Sequence, residues 1–168
     1  MKAVLIIFFI LIILFPSSVM GKTEDLQSGF TIEYPNKWLS ETIGNKTTIY
    51  SPDNKAIVMC EDFYASNLDA VYGKIERKVS NIIDNVEFII TPKKSFFNTL
   101  QGVMSEGYGT VRDKKVKWLL SLVVCKENAL LTIGYAKSDD YIYHKKIFNK
   151  IIHSVRETTE KSDNINNQ

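Results

Sequence analysis

The stretch QGVMSEGYGTVRDKKVKWLLSLVVC, residues 101–125, decides the fold. Gln101 to Val111 reads as a strand in which Gly102, Gly107 and Gly109 mark bends or close backbone approach. Arg112-Asp-Lys-Lys115 is a hairpin turn. Val116 to Cys125 then sets Trp118, Leu120, Leu122 and Val124 on one face and Leu119 and Val123 on the other. A strand apolar on both faces is central in its sheet and covered on both sides. Strands joined by so short a turn run antiparallel. Lys126-Glu-Asn128 is a second tight turn, and Ala129 to Ala136 is the last strand.

Downstream, Ser138-Asp-Asp140 reads as the cap of a final helix. Its apolar positions are Tyr141, His144, Ile147, Phe148, Ile151, Ile152 and Val155. Upstream, Val86 to Thr91 is strand-like and Pro92 closes it, while Ser95 to Leu100 reads as either strand or loop. Before that, Leu68, Val71, Tyr72, Ile75, Val79, Ile82 and Ile83 recur at three- and four-residue steps. That period predicts one amphipathic helix of about four to five turns. Ser66 is placed to cap it, with Asp69 completing a variant capping box, and Asp84–Asn85 ends it. Nearer the amino terminus, Phe30, Ile32 and Tyr34 alternate with Thr31 and Glu33 as in a half-buried strand. Trp38 to Ile43, Thr47 to Tyr50 and Ala56 to Asp62 follow as short strands, separated by Gly44–Asn45 and Ser51-Pro-Asp-Asn54. The order predicts an α+β domain: an α/β/α sandwich with a mainly antiparallel central sheet and helices on both faces.

The amino terminus is of another kind. Lys2 precedes an unbroken apolar run, Ala3 to Phe15, which Pro16, Ser17 and Ser18 interrupt. Val19 and Gly21 stand where a signal peptidase requires small residues, so residues 1–21 read as a secretory signal cleaved after Gly21. The apolar run is shorter than the roughly 20 residues of a membrane-spanning helix. Retention as an anchor is the alternative. Residues 22–28 then form a polar linker, 29–156 the domain and 157–168 a polar tail. The formal net charge is +2. Lys93–Lys94 and the trio Arg112, Lys114 and Lys115 read as solvated loop residues, which gives nucleic acid no basic footprint.

The segment GFTIEYPNKW, residues 29–38, resembles the opening of the PsbP-like family. Its packing motif is Phe30, Ile32, Tyr34, Pro35 and Trp38. The later order of helix, glycine-bearing hairpin, strand and closing helix ending IIHSVR, residues 151–156, is also similar. The resemblance covers residues 29 to 156 and implies an α/β/α sandwich around an antiparallel sheet. Plant and cyanobacterial members are extrinsic subunits on the luminal side of photosystem II, and many bacterial relatives are exported. The resemblance therefore implies a non-catalytic accessory module and transfers no site residues.

Chemistry-bearing residues are few. His144 and His153 both lie on the last helix, nine residues apart. That spacing places them on opposite faces and about 13 Å apart along the axis, so they share no metal. His144 reads as a packing residue and His153 as a surface one. Cys60 and Cys125 fall in strands, and export permits a disulfide between them; two buried thiols are the alternative. Glu61–Asp62 and Asp139–Asp140 read as a strand end and a helix cap rather than a hydrolase pair or a calcium site. No G-x-S-x-G elbow, phosphate-binding glycine loop or zinc cysteine pattern occurs. Phe63–Tyr64 and Phe96–Phe97 sit at element ends, as core edges or partner anchors.

The sequence thus points to an exported, non-enzymatic binding or accessory module of the envelope or extracellular space. It would use no cofactor or metal, bind no nucleic acid, and keep no membrane span once the signal is removed. Its expected partner is an envelope or extracellular protein. The alternatives are a small-molecule or lipid carrier and a weak hydrolase.

Overall fold

A computed structural model describes residues 20–65 and 67–158. The expected signal segment up to Val19, the tail beyond Thr158 and the capping role given to Ser66 lie outside those residues. Seven strands form one sheet: β3 (Leu39–Ile43), β4 (Lys46–Tyr50), β5 (Ala56–Tyr64), β6 (Asp84–Phe97), β7 (Leu100–Val111), β8 (Lys114–Cys125) and β9 (Asn128–Lys137). Their spatial order is β3-β4-β5-β9-β8-β7-β6, and every neighbouring pair is antiparallel. A smaller sheet places β2 (Phe30–Pro35) between β1 (Met20–Asp25) and β10 (Arg156–Glu157).

β8 has the two-sided character read from its sequence. Leu119 and Val123 join the core cluster that holds Phe148, Ile151 and Ile152 of α3 (Tyr141–His153), together with Phe30, Ile32, Tyr34 and Trp38. Trp118, Leu120 and Leu122 join the other cluster, with Val71 of α1 (Leu68–Tyr72) and Ile75 and Val79 of α2 (Ile75–Ser80). Two glycines allow the close packing. At Gly134 of β9 a Cβ would sit 2.7 Å from the Phe148 ring, and at Gly107 of β7 it would overlap Trp118.

Several elements differ from the sequence reading. Lys22–Ser28 is not wholly linker, because β1 pairs with β2 from Lys22↔Tyr34 to Asp25↔Thr31. Two of its half-buried positions are polar, and they are satisfied at a distance: Lys22 donates to the Trp38 carbonyl at 2.9 Å, and Glu24 accepts from the Tyr34 hydroxyl at 3.0 Å. The single amphipathic helix is two short ones, broken at Gly73 and Lys74, and the first is capped by Asn67, which accepts from the Ala70 amide at 2.8 Å. β6 runs straight through Pro92, which an edge strand tolerates, and it shifts register three times along β7. Asp140 makes no side-chain cap on α3; its carboxylate meets Lys55 at 3.3 Å instead.

The polar tail also begins later than expected. Glu157 pairs with Phe30, and the Thr158 amide donates to the Gly29 carbonyl at 2.8 Å.

Candidate partner-docking groove

α1 and α2 pack over the β7–β8–β9 side of their sheet face, against Val103, Trp118, Leu120, Leu122, Leu131 and Ile133. Toward β3 that face is less covered. On β4 the burial alternates: Thr47 and Ile49 are buried, whereas Thr48 and Tyr50, on the α1–α2 side, are only half-buried. Register aligns Leu39, Tyr50, Ile57 and Tyr135 in one row across β3, β4, β5 and β9. Three strand spacings make that row about 14 Å long. Leu39, at its outer end, is 66% exposed.

Tyr50, Ile57, Met59 and Tyr135 form part of the lining of a groove of about 680 Å³, walled by Asn81 and Ile82 after α2 and by the β7–β8 hairpin. Its charged lining is Lys46, Lys55, Arg112, Lys114 and Lys137 against the single carboxylate of Asp53. Alternation puts Lys137 one pleat beyond Tyr135, and Lys55, in the turn before β5, also lines the groove, so a cationic band borders the apolar row. Lys46 lies 3.7 Å from Glu61, and Lys55 is held by Asp140. Arg112, Lys114 and Lys137 have no ion-pair partner among the described residues. Burial pushes the Tyr135 hydroxyl above its ordinary range, Tyr50 adds to the rise, and Arg112 opposes it. Asp53 is held low chiefly by a 2.6 Å bond from the Ser51 hydroxyl.

The hairpin that carries Arg112 is a tight turn with φ of 50° at Arg112 and 62° at Asp113. Left-handed backbone of this kind favours Asn-Gly pairs, so a side chain as long as arginine is held there at some conformational cost.

The residues singled out from sequence are dispersed. Cys60 and Cys125 are free thiols. Cys60 faces Thr132 of β9, whereas Cys125 faces Asn128 from the opposite side of the same strand. Two strand spacings and four residues separate them by about 16 Å, far beyond the roughly 7 Å Cα limit for a bridge. Burial pushes the Cys60 thiol up to about 12. Phe30, Ile32, Tyr34, Pro35 and Trp38 are buried, and the Trp38 amide closes the turn onto the Pro35 carbonyl at 2.9 Å. Glu61 and Asp62 point to opposite faces: Glu61 meets Lys78 at 2.5 Å, and Asp62 accepts from the Ser28 hydroxyl at 2.5 Å. His144 packs against Trp38 and Phe148, and His153 stacks on Phe97. Tyr64 and Phe96 are exposed, while Phe97 is buried. Among the described residues no three His, Cys, Asp or Glu side chains group as a metal site.

Sequence reasoning did not identify the groove. Lys46, Lys55, Arg112, Lys114 and Lys137 are far apart in the chain, and only the register of β4, β5, β9 and β8 assembles them. A second unforeseen cluster is Glu106 on β7, which accepts from Lys145 at 2.7 and 2.8 Å and from the Tyr141 hydroxyl at 3.1 Å. Burial and then Glu106 push the Tyr141 hydroxyl well above its ordinary range.

No family model matches the chain, and no curated protein matches it. Solved structures do. A crystal structure from Bacteroides thetaiotaomicron aligns at a TM-score of 0.61 with 15% identity, covering 84% of this chain and 50% of that one, so the chain spans half of that protein. Cyanobacterial PsbP from Synechocystis aligns at 0.66 with 13% identity, covering 83% of this chain and 93% of that one. LpqN of Mycobacterium tuberculosis, described as involved in cell envelope biogenesis, aligns at 0.56 with 12% identity, covering 77% and 83%. At these identities the likeness concerns architecture, and the chain has the PsbP-like fold, an α+β arrangement on a mainly antiparallel sheet.

Proposed function

We propose that the chain is an exported, non-enzymatic accessory module that docks a partner protein through the groove over β4, β5 and β9. The observation that carries this reading is the incompletely covered sheet face, where half-buried Tyr50, Ile57, Met59 and Tyr135 lie beside Arg112, Lys114 and Lys137, which have no ion-pair partner among the described residues. Partner sites combine such apolar anchors with a polar rim.

Export is supported by the charged start, apolar run and small residues of positions 2–21. The β1–β2 register breaks between Met20 and Lys22, so a chain beginning at Lys22 keeps the regular part of that ladder. No helix among the described residues is long and apolar enough to cross a membrane. The envelope role named for LpqN is in keeping with the reading. So is the wide spacing of Cys60, Cys125, His144 and His153 among the described residues.

The test is site-specific photo-crosslinking in the native host. A crosslinker at Ile57 should trap one reproducible envelope protein, while the same group at Glu76, on the exposed side of α2, should not. Equal trapping at both positions, or none at Ile57, would overturn the docking site. Amino-terminal sequencing of the recovered protein should begin at Lys22.

A further inference from the structure

We propose that the segment this groove receives is acidic and amphipathic: an extended stretch of a partner protein whose apolar side chains lie on the Leu39–Tyr50–Ile57–Tyr135 row and whose carboxylates meet Arg112, Lys114 and Lys137. The inference rests on the groove being the docking site, and it adds the chemistry of the occupant.

Charge complementarity selects the occupant. Arg112, Lys114 and Lys137 converge from the β7–β8 hairpin and the end of β9, and no carboxylate of the described chain pairs with them. Asp53, the one lining carboxylate, is occupied by the Ser51 hydroxyl and the Lys55 amide. The groove therefore presents a net positive field beside an apolar floor. A guanidinium and two ammonium groups on one rim match carboxylates spaced along an extended chain.

Geometry favours a chain over a small ion. The row of about 14 Å corresponds to about four extended residues. A segment lying along the boundary between row and band would turn apolar side chains to one side, toward Tyr50, Ile57 and Tyr135, and carboxylates to the other, toward Arg112, Lys114 and Lys137. A free phosphate would use the band and leave the aromatic row empty.

Edge-to-edge addition of a second copy at β3 is disfavoured. Pairing β3 antiparallel with itself about its central residue would place Glu41 opposite Glu41, with like charges directly across the ladder.

The test uses the full chain, expressed with its own amino-terminal segment and purified from an exporting host. A fluorescein-labelled eight-residue peptide alternating glutamate with leucine and phenylalanine is titrated by anisotropy. The same peptide with lysine for glutamate, phosphatidylglycerol vesicles and inorganic phosphate serve as competing probes. The glutamate peptide should bind, weaken at least tenfold on raising salt from 50 to 500 mM, and weaken at least tenfold in Arg112→Glu/Lys137→Glu. Tyr135→Ala should weaken it as well, and Lys114→Glu provides a charge reversal outside the positive-φ turn should the double variant fold poorly.

Failure of the glutamate peptide to bind, equal binding of the lysine peptide, or indifference to the charge reversals would overturn the inference. Preference for vesicles or phosphate would reassign the cations to a lipid surface or a free anion. If Ile57 crosslinking still traps a partner while the glutamate peptide fails, the docking site stands and its acidic occupant does not. If both fail, the site falls too.

Discussion

Phe148 of α3 rests on Gly134 of β9 so closely that no side chain fits between them. A Cβ at Gly134 would stand 2.7 Å from two ring carbons. The helix can approach the sheet at this point only because residue 134 has no side chain.

Gly134→Ala should therefore destabilise the domain by about 1–3 kcal/mol, the usual cost of overpacking a filled core. Gly134→Ala/Phe148→Leu, which removes ring volume where the methyl is added, should recover part of it. Urea melts of the single and double variants provide the measurement, and equal stability of the two would show that the contact relaxes.

Lys145 neutralises a glutamate that is only 11% exposed at its side chain, while Lys145 itself is 39% exposed. Lys145→Met leaves the Glu106 carboxylate with only the Tyr141 hydroxyl and should cost about 1–2 kcal/mol, less than a fully buried pair because water reaches the ammonium. Glu106→Gln/Lys145→Met, which removes both charges, should be more stable than Lys145→Met alone. A double-mutant cycle reads the coupling directly.

Asp62 bears on acid stability. Burial pushes its carboxyl up, and the Ser28 hydroxyl pulls it down less. A carboxyl whose folded value lies above its unfolded one keeps its proton longer in the native state. Stability is thus lost as pH rises from the ordinary aspartate value of about 4 through the folded value. Relative to Asp62→Asn, the parent protein should be more stable at pH 3 than at pH 7. A stability difference that stays constant across that window would mean the carboxylate is solvated.

The thiols should differ in reactivity. Cys60 is buried, and its thiol stays protonated at neutral pH because burial raises it to about 12. Cys125 is half-exposed, and its thiol is also raised by burial and by Glu157. A disulfide-exchange reagent at pH 8 should label Cys125 more slowly than free cysteine, and Cys60 only after unfolding. Mass spectrometry of the unreduced, denatured protein should count two free thiols.

Much of the architecture is legible where side-chain period and burial coincide. β8 announces its central place through Leu119 and Val123 on one side and Trp118, Leu120 and Leu122 on the other, and these separate into the two core clusters as read. The strand through Phe30, Ile32 and Tyr34 is equally plain. β1 is not, because its partners are the Trp38 carbonyl and the Tyr34 and Ser40 hydroxyls, which no local pattern reveals. The apolar period from Leu68 to Ile83 persists across the break at Gly73, since both short helices bury their share of it, Val71 on the first and Ile75 and Val79 on the second. Pro92 looks like a terminator only if β6 is assumed to have neighbours on both sides. The groove was illegible for a related reason: Arg112 and Lys114 look like ordinary turn residues until β9 brings Lys137 beside them.

The position of β9 between β5 and β8 also governs the order in which the molecule can be completed. β5 finds its second neighbour only when residues 128–137 exist, since Phe63 pairs with Ala129 and Ala56 with Ala136. Until then the β3–β4–β5 ladder has an open inner edge, and the β6–β7–β8 meander has another. Closure of the sheet is consequently a late, long-range event, of the kind that makes folding slow and leaves edges available for wrong pairing. Until residues 128–137 have left the ribosome the sheet keeps two open edges, which leaves a long interval in which it can still pair with the wrong strand.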